Sequence, residues 1–331
     1  MVDVLRLTRE LIDIPSVTGE EFEIGTAIAE LLMRRGYRVE LQDISPERSN
    51  IIATTDDRPR VVLSTHMDTV PPFIASSEDD EFIFGRGACD AKGIIAAQIA
   101  AAEKLREQGC KEIGLLFTVD EEVASAGAKI ANNHPAAAAC EYLINGEPTD
   151  NLIAIGTKGS LQAAISTEGR AAHSAYPEQG ESAIEKLLDV LADVRAIRWP
   201  NDNIFGETTA NIGVISGGTR ANVIPAGAEA VIQIRLAVES EAIRKLLEEA
   251  IAGRASIDYK SVHDPLRLLT LDGFETMVAR FTTDIPYLSN WGKAILIGPG
   301  SILDAHTDGE KISKADLRRA VDLYVDLVRK L

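Results

Sequence analysis

Short apolar runs alternate with helical hydrophobic patterns along the first half of the chain. Five runs have the length and residue content of strands, and helical patterns lie near residues 20–35 and from Ala91 to Glu107. Several runs are apolar throughout, which is typical of strands in a sheet that helices cover on both faces. The pattern therefore predicts an α/β domain. The predicted strands are Tyr37–Leu41, Asn50–Thr54, Val61–Thr65, Ile113–Val119 and Tyr142–Asn145.

The helix near residues 20–35 carries signals at both ends. Thr18-Gly-Glu-Glu21 fits a capping box, in which the side chains of the first and last residues close the first helical turn. Gly36 supplies a stop at the other end. We therefore expect Thr18 and Glu21 to cap this helix.

The pattern changes near Gly159. Four strand patterns and two helical patterns follow, and together they predict a smaller α+β unit. The strands are Leu161–Thr167, Ala210–Ile215, Ala228–Leu236 and Ile257–Val262, and the helices are Ser182–Val194 and Glu239–Ala252. Beyond this unit we expect a helix at Gly273–Phe281, a buried strand at Ala294–Ile297 and an amphipathic closing helix at Lys314–Leu331. The predicted domains are 1–158 and 268–331 for the first unit and 159–267 for the second.

Length, charge and cysteine content narrow the function classes. A chain of 331 residues is long enough for about two domains. The formal charge of −17 disfavours nucleic acid and anionic membranes as partners, and no apolar run reaches the roughly 20 residues of a membrane span. Three widely spaced cysteines suggest neither disulfides nor a zinc site. The start of the chain lacks a secretory signal pattern, so we expect a cytoplasmic protein.

Side chains that can bind metal follow several of the predicted strands. His66 and Asp68 end one strand on the same side, and Asp68 is suited to orient a metal-bound imidazole. A surface hydrogen bond between these two residues is the alternative. Asp90 lies in the glycine-rich turn Gly85–Gly93 just before a helix, where it is either a two-cation ligand or an N-cap.

Three adjacent acids, Asp120-Glu121-Glu122, follow a buried strand, and such crowding is costly unless a cation or proton compensates it. Glu147 follows the next strand, and His306 follows a strand and glycine turn near the chain end. Strand ends are where open α/β sheets bind ligands. His306 can join His66 only if the middle of the chain is an insertion, which agrees with the change of pattern at Gly159.

Five blocks in this order resemble a metallopeptidase family. The family contains acetylornithine deacetylase, succinyl-diaminopimelate desuccinylase, aminoacylase and glutamate-releasing carboxypeptidases, and the resemblance covers essentially the whole chain. The blocks are Ser64–Pro71, Gly85–Gly93, Thr118–Glu122, Gly146–Thr149, and His306 with Glu310. The resemblance implies an α/β/α catalytic domain with a mixed sheet and an inserted ferredoxin-like α+β domain that serves as a lid and forms a homodimer.

The resemblance also implies two zinc ions per subunit, with cobalt or manganese as possible substitutes. One ion would be bound by His66, Asp90 and Glu147, and the other by Asp90, Glu122 and His306, with a bridging water between them. Glu121 matches the family's general base, which takes a proton from that water and delivers it to the leaving amine.

The same resemblance assigns further residues to substrate binding. His173, in Gly169–Pro177, matches the lid histidine that polarises the carbonyl oxygen, often from the partner subunit. Asn222 and Arg235 match residues that hold the substrate's α-carboxylate. Gly298 and Gly300 are expected to donate backbone N–H groups to it. Taken from the residues alone, His173 is a surface loop residue and Arg235 a solvated strand residue.

The leading hypothesis is hydrolysis of an N-acyl amino acid, with an activity like that of acetylornithine deacetylase. It rests on Gly298-Pro-Gly, Ala305-His-Thr and Gly146-Glu-Pro-Thr149, which look more like that branch of the family than the desuccinylase branch. The alternatives are a dipeptidase or carboxypeptidase, a desuccinylase, and a metal-binding homologue without catalysis. In each enzymatic case the substrate is a small molecule.

Overall fold

The computed structural model describes residues 2–55 and 58–331, which form two compact units. The first comprises the chain up to Ile155 together with Leu268–Met277 and Thr283–Leu331, and the second comprises Gly156–Arg267 and Val278–Thr282. The helices are α1 (Val4–Ile12), α2 (Phe22–Arg34), α3 (Lys92–Glu107), α4 (Ala126–Ala131), α5 (Ala183–Ala196), α6 (Ser240–Ile251) and α7 (Lys314–Lys330). Short 3-10 helices lie at Pro135–Ala139, Pro177–Gln179 and Ile285–Tyr287.

The strands include long members in both units and several of two to four residues. In chain order they are β1 (Arg38–Ser45), β2 (Arg48–Thr54), β3 (Val61–His66), β4 (Ser77–Glu78), β5 (Phe82–Phe84), β6 (Ile113–Thr118), β7 (Tyr142–Asn145), β8 (Ile153–Thr157), β9 (Gly159–Glu168), β10 (Asn201–Asp202), β11 (Gly206–Glu207), β12 (Thr209–Gly217), β13 (Gly227–Leu236), β14 (Ser256–His263), β15 (Leu266–Arg267), β16 (Thr276–Ala279), β17 (Lys293–Leu296) and β18 (Lys311–Ser313).

The first unit is built on a six-stranded mixed sheet in the order β1-β2-β6-β3-β7-β17. The last four strands in this order run parallel, so their carboxyl ends meet at one edge. Every residue of β3 and β6 is buried, as expected for strands with helices on both faces. The larger core cluster joins α1, α2, α3 and α7 to one face of the sheet. The other face packs against α4 and Trp291, which confirms the predicted α/β/α arrangement.

The second unit has the order of elements β9-α5-β12-β13-α6-β14. Its antiparallel sheet has the spatial order β12-β13-β9-β14, which is the ferredoxin-like arrangement. Alternate residues of β9 and β13, among them Leu161, Ile232 and Ile234, pack with α5 and α6 into a separate core. The predicted α+β insertion is therefore confirmed as a fold.

Two local predictions are wrong. Gly273–Phe281 is not a helix: Gly273 has a φ of +87° in a turn, and Thr276–Ala279 forms the strand β16. Thr18 and Glu21 do not form a capping box either, because α2 begins at Phe22 without a side-chain cap. Both of those side chains have partners elsewhere, as described below. No helix in the described part of the chain has the length and apolar character needed to cross a membrane.

Candidate metal centre

The predicted metal ligands of the first unit lie at the carboxyl edge of its sheet. His66 is the last residue of β3, Glu122 follows β6, and Glu147 follows β7. Asp90 immediately precedes the turn into α3, whose N-cap position is Ala91 and not Asp90. The N-cap alternative for Asp90 is therefore wrong. His306 reaches the same edge from the loop after β17.

Asp90 lies between two imidazole rings. Its Oδ1 is 2.9 Å from Nε2 of His66, and its Oδ2 is 3.2 Å from Nε2 of His306. One carboxylate thus offers a separate oxygen to each histidine. A carboxylate in this position can bridge two cations, each completed by a different imidazole.

Two further carboxylates complete the cluster. Glu122 Oε1 is 3.0 Å from Nε2 of His306, and Glu147 Oε2 is 4.0 Å from Nε2 of His66. Ligand atoms of His66, Asp90 and Glu122 all lie within 4.8 Å of one another. The remaining Glu147 oxygen, Oε1, is buried and has no hydrogen-bond partner among residues 2–55 and 58–331. Such an orphaned acceptor, together with nitrogen and oxygen donors of these types, fits divalent cations such as zinc.

The cluster also shifts the pKa values of its members. Burial, together with the charge of Asp90, raises the pKa of Glu147 well above its usual range, although the nearby His66 acts in the opposite direction. Burial opposes protonation of His66, but its hydrogen-bonded neighbours Asp68 and Asp90 hold the pKa of the imidazole well above its usual value. The two histidines therefore do not fully compensate the negative charge of the buried carboxylates. A bound cation would reduce the repulsion among these carboxylates.

Asp68 has two functions in the structure. Nδ1 of His66 donates to the backbone carbonyl of Asp68 at 2.9 Å, which leaves Nε2 free to face Asp90. The Asp68 carboxylate lies 3.6 Å from Nδ1 and accepts the backbone N–H groups of Glu121 and Glu122 at 3.1 and 3.2 Å. Thr18 donates its hydroxyl to the same carboxylate at 2.8 Å, which explains why it does not cap α2. Asp68 thus orients His66 mainly through its backbone and fixes the loop of the acids through its side chain.

Glu121 and Glu122 have different environments although they are adjacent. Glu122 contacts His306, whereas burial, followed by the charge of Glu147, raises the pKa of Glu121 well above its usual range. A carboxylate with a raised pKa is a stronger proton acceptor. The two environments thus distinguish a candidate ligand, Glu122, from a candidate general base, Glu121.

Family models match both parts of the chain. The model described as a peptidase dimerisation domain of the M20 type matches residues 155–261, which cover most of the ferredoxin-like unit. The model described as peptidase family M28 matches residues 50–202. Both descriptions are of peptidases.

Relatives that match over nearly the whole chain decide the family. The chain is 36% identical to a peptidase M20 domain-containing protein of Schizosaccharomyces pombe, and the alignment covers 98% of this chain and 84% of that protein. It is also 36% identical to a probable carboxypeptidase of Aspergillus niger, over 98% of this chain and 88% of the relative. The chain belongs to the M20 peptidase family. It is therefore a hydrolase of amide bonds of the metallopeptidase type.

Solved structures support the fold of this M20 peptidase. A tripeptidase of Staphylococcus aureus superposes with a TM-score of 0.80 at 21% identity, covering 99% of this chain and 98% of that one. A dinuclear metal binding peptidase of the M20 family from Bacillus subtilis superposes with a TM-score of 0.72 at 17% identity, covering 99% and 98%. The acetylornithine-deacetylase branch predicted from the motifs is not confirmed by these comparisons.

Two residues that the sequence motifs did not reveal, Arg48 and Asp284, support the loop Asp120–Glu122 of the M20 peptidase. Asp120 has a φ of +71° and pairs with Arg48 at 2.9 Å, and Arg48 also binds Glu21 at 2.7 Å. On another side, the buried Asp284 accepts the hydroxyl of Thr118 at 2.8 Å. Arg48 and Asp284 belong to none of the recognised blocks, so only the folded chain reveals them.

Two glycines of the M20 peptidase pack closely instead of facing open space. The N–H group of Gly298 donates to the Thr149 hydroxyl at 3.0 Å, so the expectation that it binds a substrate carboxylate is wrong. A Cβ atom at Gly298 would lie 2.4 Å from the carbonyl oxygen of Glu147, and one at Gly300 would lie 2.5 Å from Cβ of Cys89. Both glycines are buried. They let the loop after β17 approach the segments that carry Glu147 and Asp90.

The remaining predicted residues lie in the second unit. His173 and Asn222 belong to adjacent exposed loops, in which the Ser174 N–H donates to the Asn222 carbonyl at 3.0 Å. Arg235 lies on β13 opposite Ser160 of β9 and is partly buried. Burial lowers the pKa of Arg235, and no carboxylate or hydrogen-bond acceptor within residues 2–55 and 58–331 offsets that effect. This guanidinium is a candidate anion-binding group.

Proposed function

We propose that this M20 peptidase is a metal-dependent exopeptidase that removes the C-terminal residue of dipeptides and short peptides. The observation that carries the proposal is Asp90, whose two oxygens face His66 and His306 in a cluster that fits two cations. The names of its relatives and structural neighbours, a probable carboxypeptidase and a tripeptidase among them, favour peptide substrates. This reverses the order of the two leading hypotheses drawn from the motifs.

Five side chains would hold the two ions. His66, Asp90 and Glu147 would bind one, and Asp90, Glu122 and His306 the other, with zinc favoured by the nitrogen and oxygen donors and cobalt or manganese as substitutes. When bound, the ions supply Lewis-acid activation of a water molecule and of the substrate carbonyl. Asp68 keeps Nε2 of His66 directed at this site through its backbone carbonyl.

Glu121 moves the proton. Its carboxylate takes a proton from the attacking water and delivers it to the leaving amine, so that the amide nitrogen departs as a neutral group. Burial, followed by the charge of Glu147, raises the pKa of Glu121 and so makes its carboxylate a stronger proton acceptor. Asp68 holds the backbone of Glu121 and Glu122 by two hydrogen bonds, which fixes the base relative to the ligand beside it.

The second unit supplies the substrate-binding residues in this proposal. Arg235 offers a partly buried guanidinium without a partner among the described residues, and a planar fork of donors matches the carboxylate of a C-terminal residue. Asn222 would bind the same carboxylate, and His173 would polarise the scissile carbonyl oxygen. A net charge of −17 on the chain makes such an isolated cation a distinctive anchor for an anionic group.

The same unit supports a homodimer. β12 is an edge strand of its sheet, and Val214 and Ile215 on it are 56% and 57% exposed. Leu188 on α5 is 49% exposed. An exposed edge strand with apolar side chains is a ready pairing site for a second chain. Together with the match to a peptidase dimerisation domain, this favours pairing of two copies through β12.

The test is a substrate panel with the metal-loaded protein. It includes dipeptides and N-blocked dipeptides with a free or an amidated C-terminus, together with acetylornithine and succinyl-diaminopimelate. We expect turnover of peptides with a free carboxylate and a loss of at least tenfold in kcat/KM on amidation. Arg235→Lys should lose most of this preference because it lacks the fork of donors, while Arg254→Lys, at an exposed arginine of the same unit, should retain it.

Two results would contradict the proposal. Equal turnover of free and amidated peptides would remove the role of the C-terminal carboxylate. Turnover of acetylornithine without any peptide turnover would instead restore the deacetylase hypothesis, which Gly298-Pro-Gly and Gly146-Glu-Pro-Thr149 favoured on sequence grounds.

A further inference from the structure

A buried ion pair links two of the proposed metal-binding segments. Nη1 of Arg86 lies 2.7 Å from Oε2 of Glu310, and their side chains are only 2% and 1% exposed. Arg86 belongs to the glycine-rich turn before α3, and Glu310 follows the loop that carries His306. A pair removed from water in this way contributes little net stability on average, because desolvation of both charges opposes their attraction. The other hydrogen bonds of Arg86 and Glu310 therefore indicate the function of the pair.

Glu310 holds the backbone that presents Asp90. Its second oxygen, Oε1, accepts the N–H groups of Cys89 at 3.3 Å and of Asp90 at 3.2 Å. The Sγ of Cys89 lies 3.7 Å from the same oxygen. With Oε2 bound to Arg86, both oxygens of Glu310 are engaged. Glu310 is therefore not a metal ligand itself, and it fixes the peptide unit that orients the bridging carboxylate.

Arg86 holds the loop of His306. The Nη1 that binds Glu310 also donates to the carbonyl of Thr307 at 3.0 Å, and Nε donates to the carbonyl of Pro72 at 3.3 Å. His306 itself has a φ of +63°, an uncommon conformation for a residue other than glycine. Such a conformation persists when neighbouring bonds fix it. The bond from Arg86 to the next residue is one such constraint.

We propose that Arg86 and Glu310 are positioning residues that hold Asp90 and His306 at their ligand positions. Neither residue is one of the five proposed metal ligands, and the pair acts through hydrogen bonds to the backbone beside two of them. The inference rests on the metal centre of the proposed function, but not on the identity of the substrate. Loss of the pair leaves every ligand present and makes their arrangement looser.

The test measures metal binding directly. Metal-free Glu310→Gln and Arg86→Lys proteins are titrated with Zn²⁺ by calorimetry and with Co²⁺ by visible absorption. We expect both ions to bind 10–100-fold more weakly than to the unaltered chain, which is the usual effect of losing a group that orients metal ligands. The Co²⁺ spectrum should change as well, because the ligand geometry changes.

A matched control is Glu103→Gln. Glu103 pairs with Arg35 at 3.0 Å and with Arg106 at 2.6 Å, and it lies on α3 roughly 17 Å along the helix axis from Lys92. Its replacement breaks another ion pair of the same unit, one that is less buried than Arg86–Glu310, without touching a metal-binding segment. It should leave metal affinity unchanged.

Thermal unfolding separates positioning from general stability. A positioning role predicts that the metal-induced rise in Tm is smaller in both variants than in the control, because that rise depends on metal affinity. Folded variants that bind both ions with unchanged affinity and an unchanged Co²⁺ spectrum would overturn the proposal. If Glu310→Gln does not fold, Arg86→Lys, which retains the positive charge, carries the same measurement.

The outcome is independent of the peptidase assay. An unaltered chain that binds two ions but cleaves no peptide would contradict the proposed function, while the effect of these variants on metal affinity would still be measured. An unaltered chain that binds no ion would contradict the metal centre and, with it, this inference.

Discussion

Removing the metal ions from this M20 peptidase is expected to make its stability fall as the pH rises. The clearest contribution comes from Asp284, which is 2% exposed and whose pKa is raised from 3.8 to about 6, chiefly by burial. An acid whose pKa is higher in the folded than in the unfolded chain favours folding while it is protonated. That stabilisation is complete below pH 3.8 and is lost as the pH rises through about 6.

The size of this change in folding stability follows from the shift in the pKa of Asp284. A rise of about two pKa units at a fully buried group corresponds to a cost of about 3 kcal/mol once Asp284 is ionised, at pH 8, and to about half of that at pH 5. Glu121 and Glu147, whose pKa values are raised, act in the same direction. His306 acts in the same direction. Its hydrogen bonds to Asp90 and Glu122 raise the pKa of the imidazole to about 10, so its contribution to folding stability is lost as the pH rises through about 10.

The assay is urea unfolding of chelator-treated and metal-loaded protein from pH 5 to pH 8, with Asp284→Asn as the perturbation. Asparagine keeps an oxygen for the Thr118 hydroxyl but carries no charge. In the metal-free state this variant should be more stable than the parent, by about 3 kcal/mol at pH 8 and by about half of that at pH 5. Asp326→Asn removes the same formal charge from an exposed position of the same unit and should change stability little.

Bound cations neutralise the neighbouring acids, so the advantage of Asp284→Asn should shrink in the metal-loaded protein. The reasoning would be refuted by a metal-free Asp284→Asn protein that is no more stable than the parent at pH 8. It would also be refuted by an advantage that is the same at pH 5 as at pH 8, since a difference in ionisation cannot produce it.

Three further outcomes are expected. Glu121→Gln should lower kcat by about 10²–10⁴-fold, which is the usual contribution of a general base to the rate, while calorimetry should show that metal binding is retained. Unchanged turnover would contradict its role as the base. His173→Ala should lower kcat with little change in metal content, measured by elemental analysis, and intact activity would show that the lid assignment is wrong. Val214→Lys should convert a dimer into monomers by light scattering, because it places a charge on the edge strand β12; a protein that stays dimeric would exclude pairing through this edge.

The sequence by itself determined the arrangement of elements and named the side chains that form the candidate metal centre. Apolar runs such as Ile113–Thr118 are strands because only a sheet covered on both faces buries every residue of them. Ligand-type residues after these strands meet because β3, β6, β7 and β17 are parallel. The ferredoxin-like insertion was predicted in the same way, by a change in hydrophobic period together with the family resemblance.

Two of the local errors share one cause. Thr18 and Glu21 carry the pattern of a capping box, but Thr18 binds Asp68 and Glu21 binds Arg48 instead. Gly298 has the position of a donor in a glycine turn, but Thr149 occupies its N–H. In each case a tertiary partner far away in the chain competes successfully with the local interaction that the pattern predicts. A pattern of neighbouring residues contains no information about such partners.

Only the tertiary structure decided how the ligands are held. Arg86, Glu310 and Asp284 act through hydrogen bonds to residues more than 150 positions away, so their partners cannot be read from spacing along the chain. The sequence names the donors of the metal centre because chemistry restricts them to a few residue types. The residues that hold these donors in place come together only in the folded chain, since any buried side chain of suitable charge and length can serve.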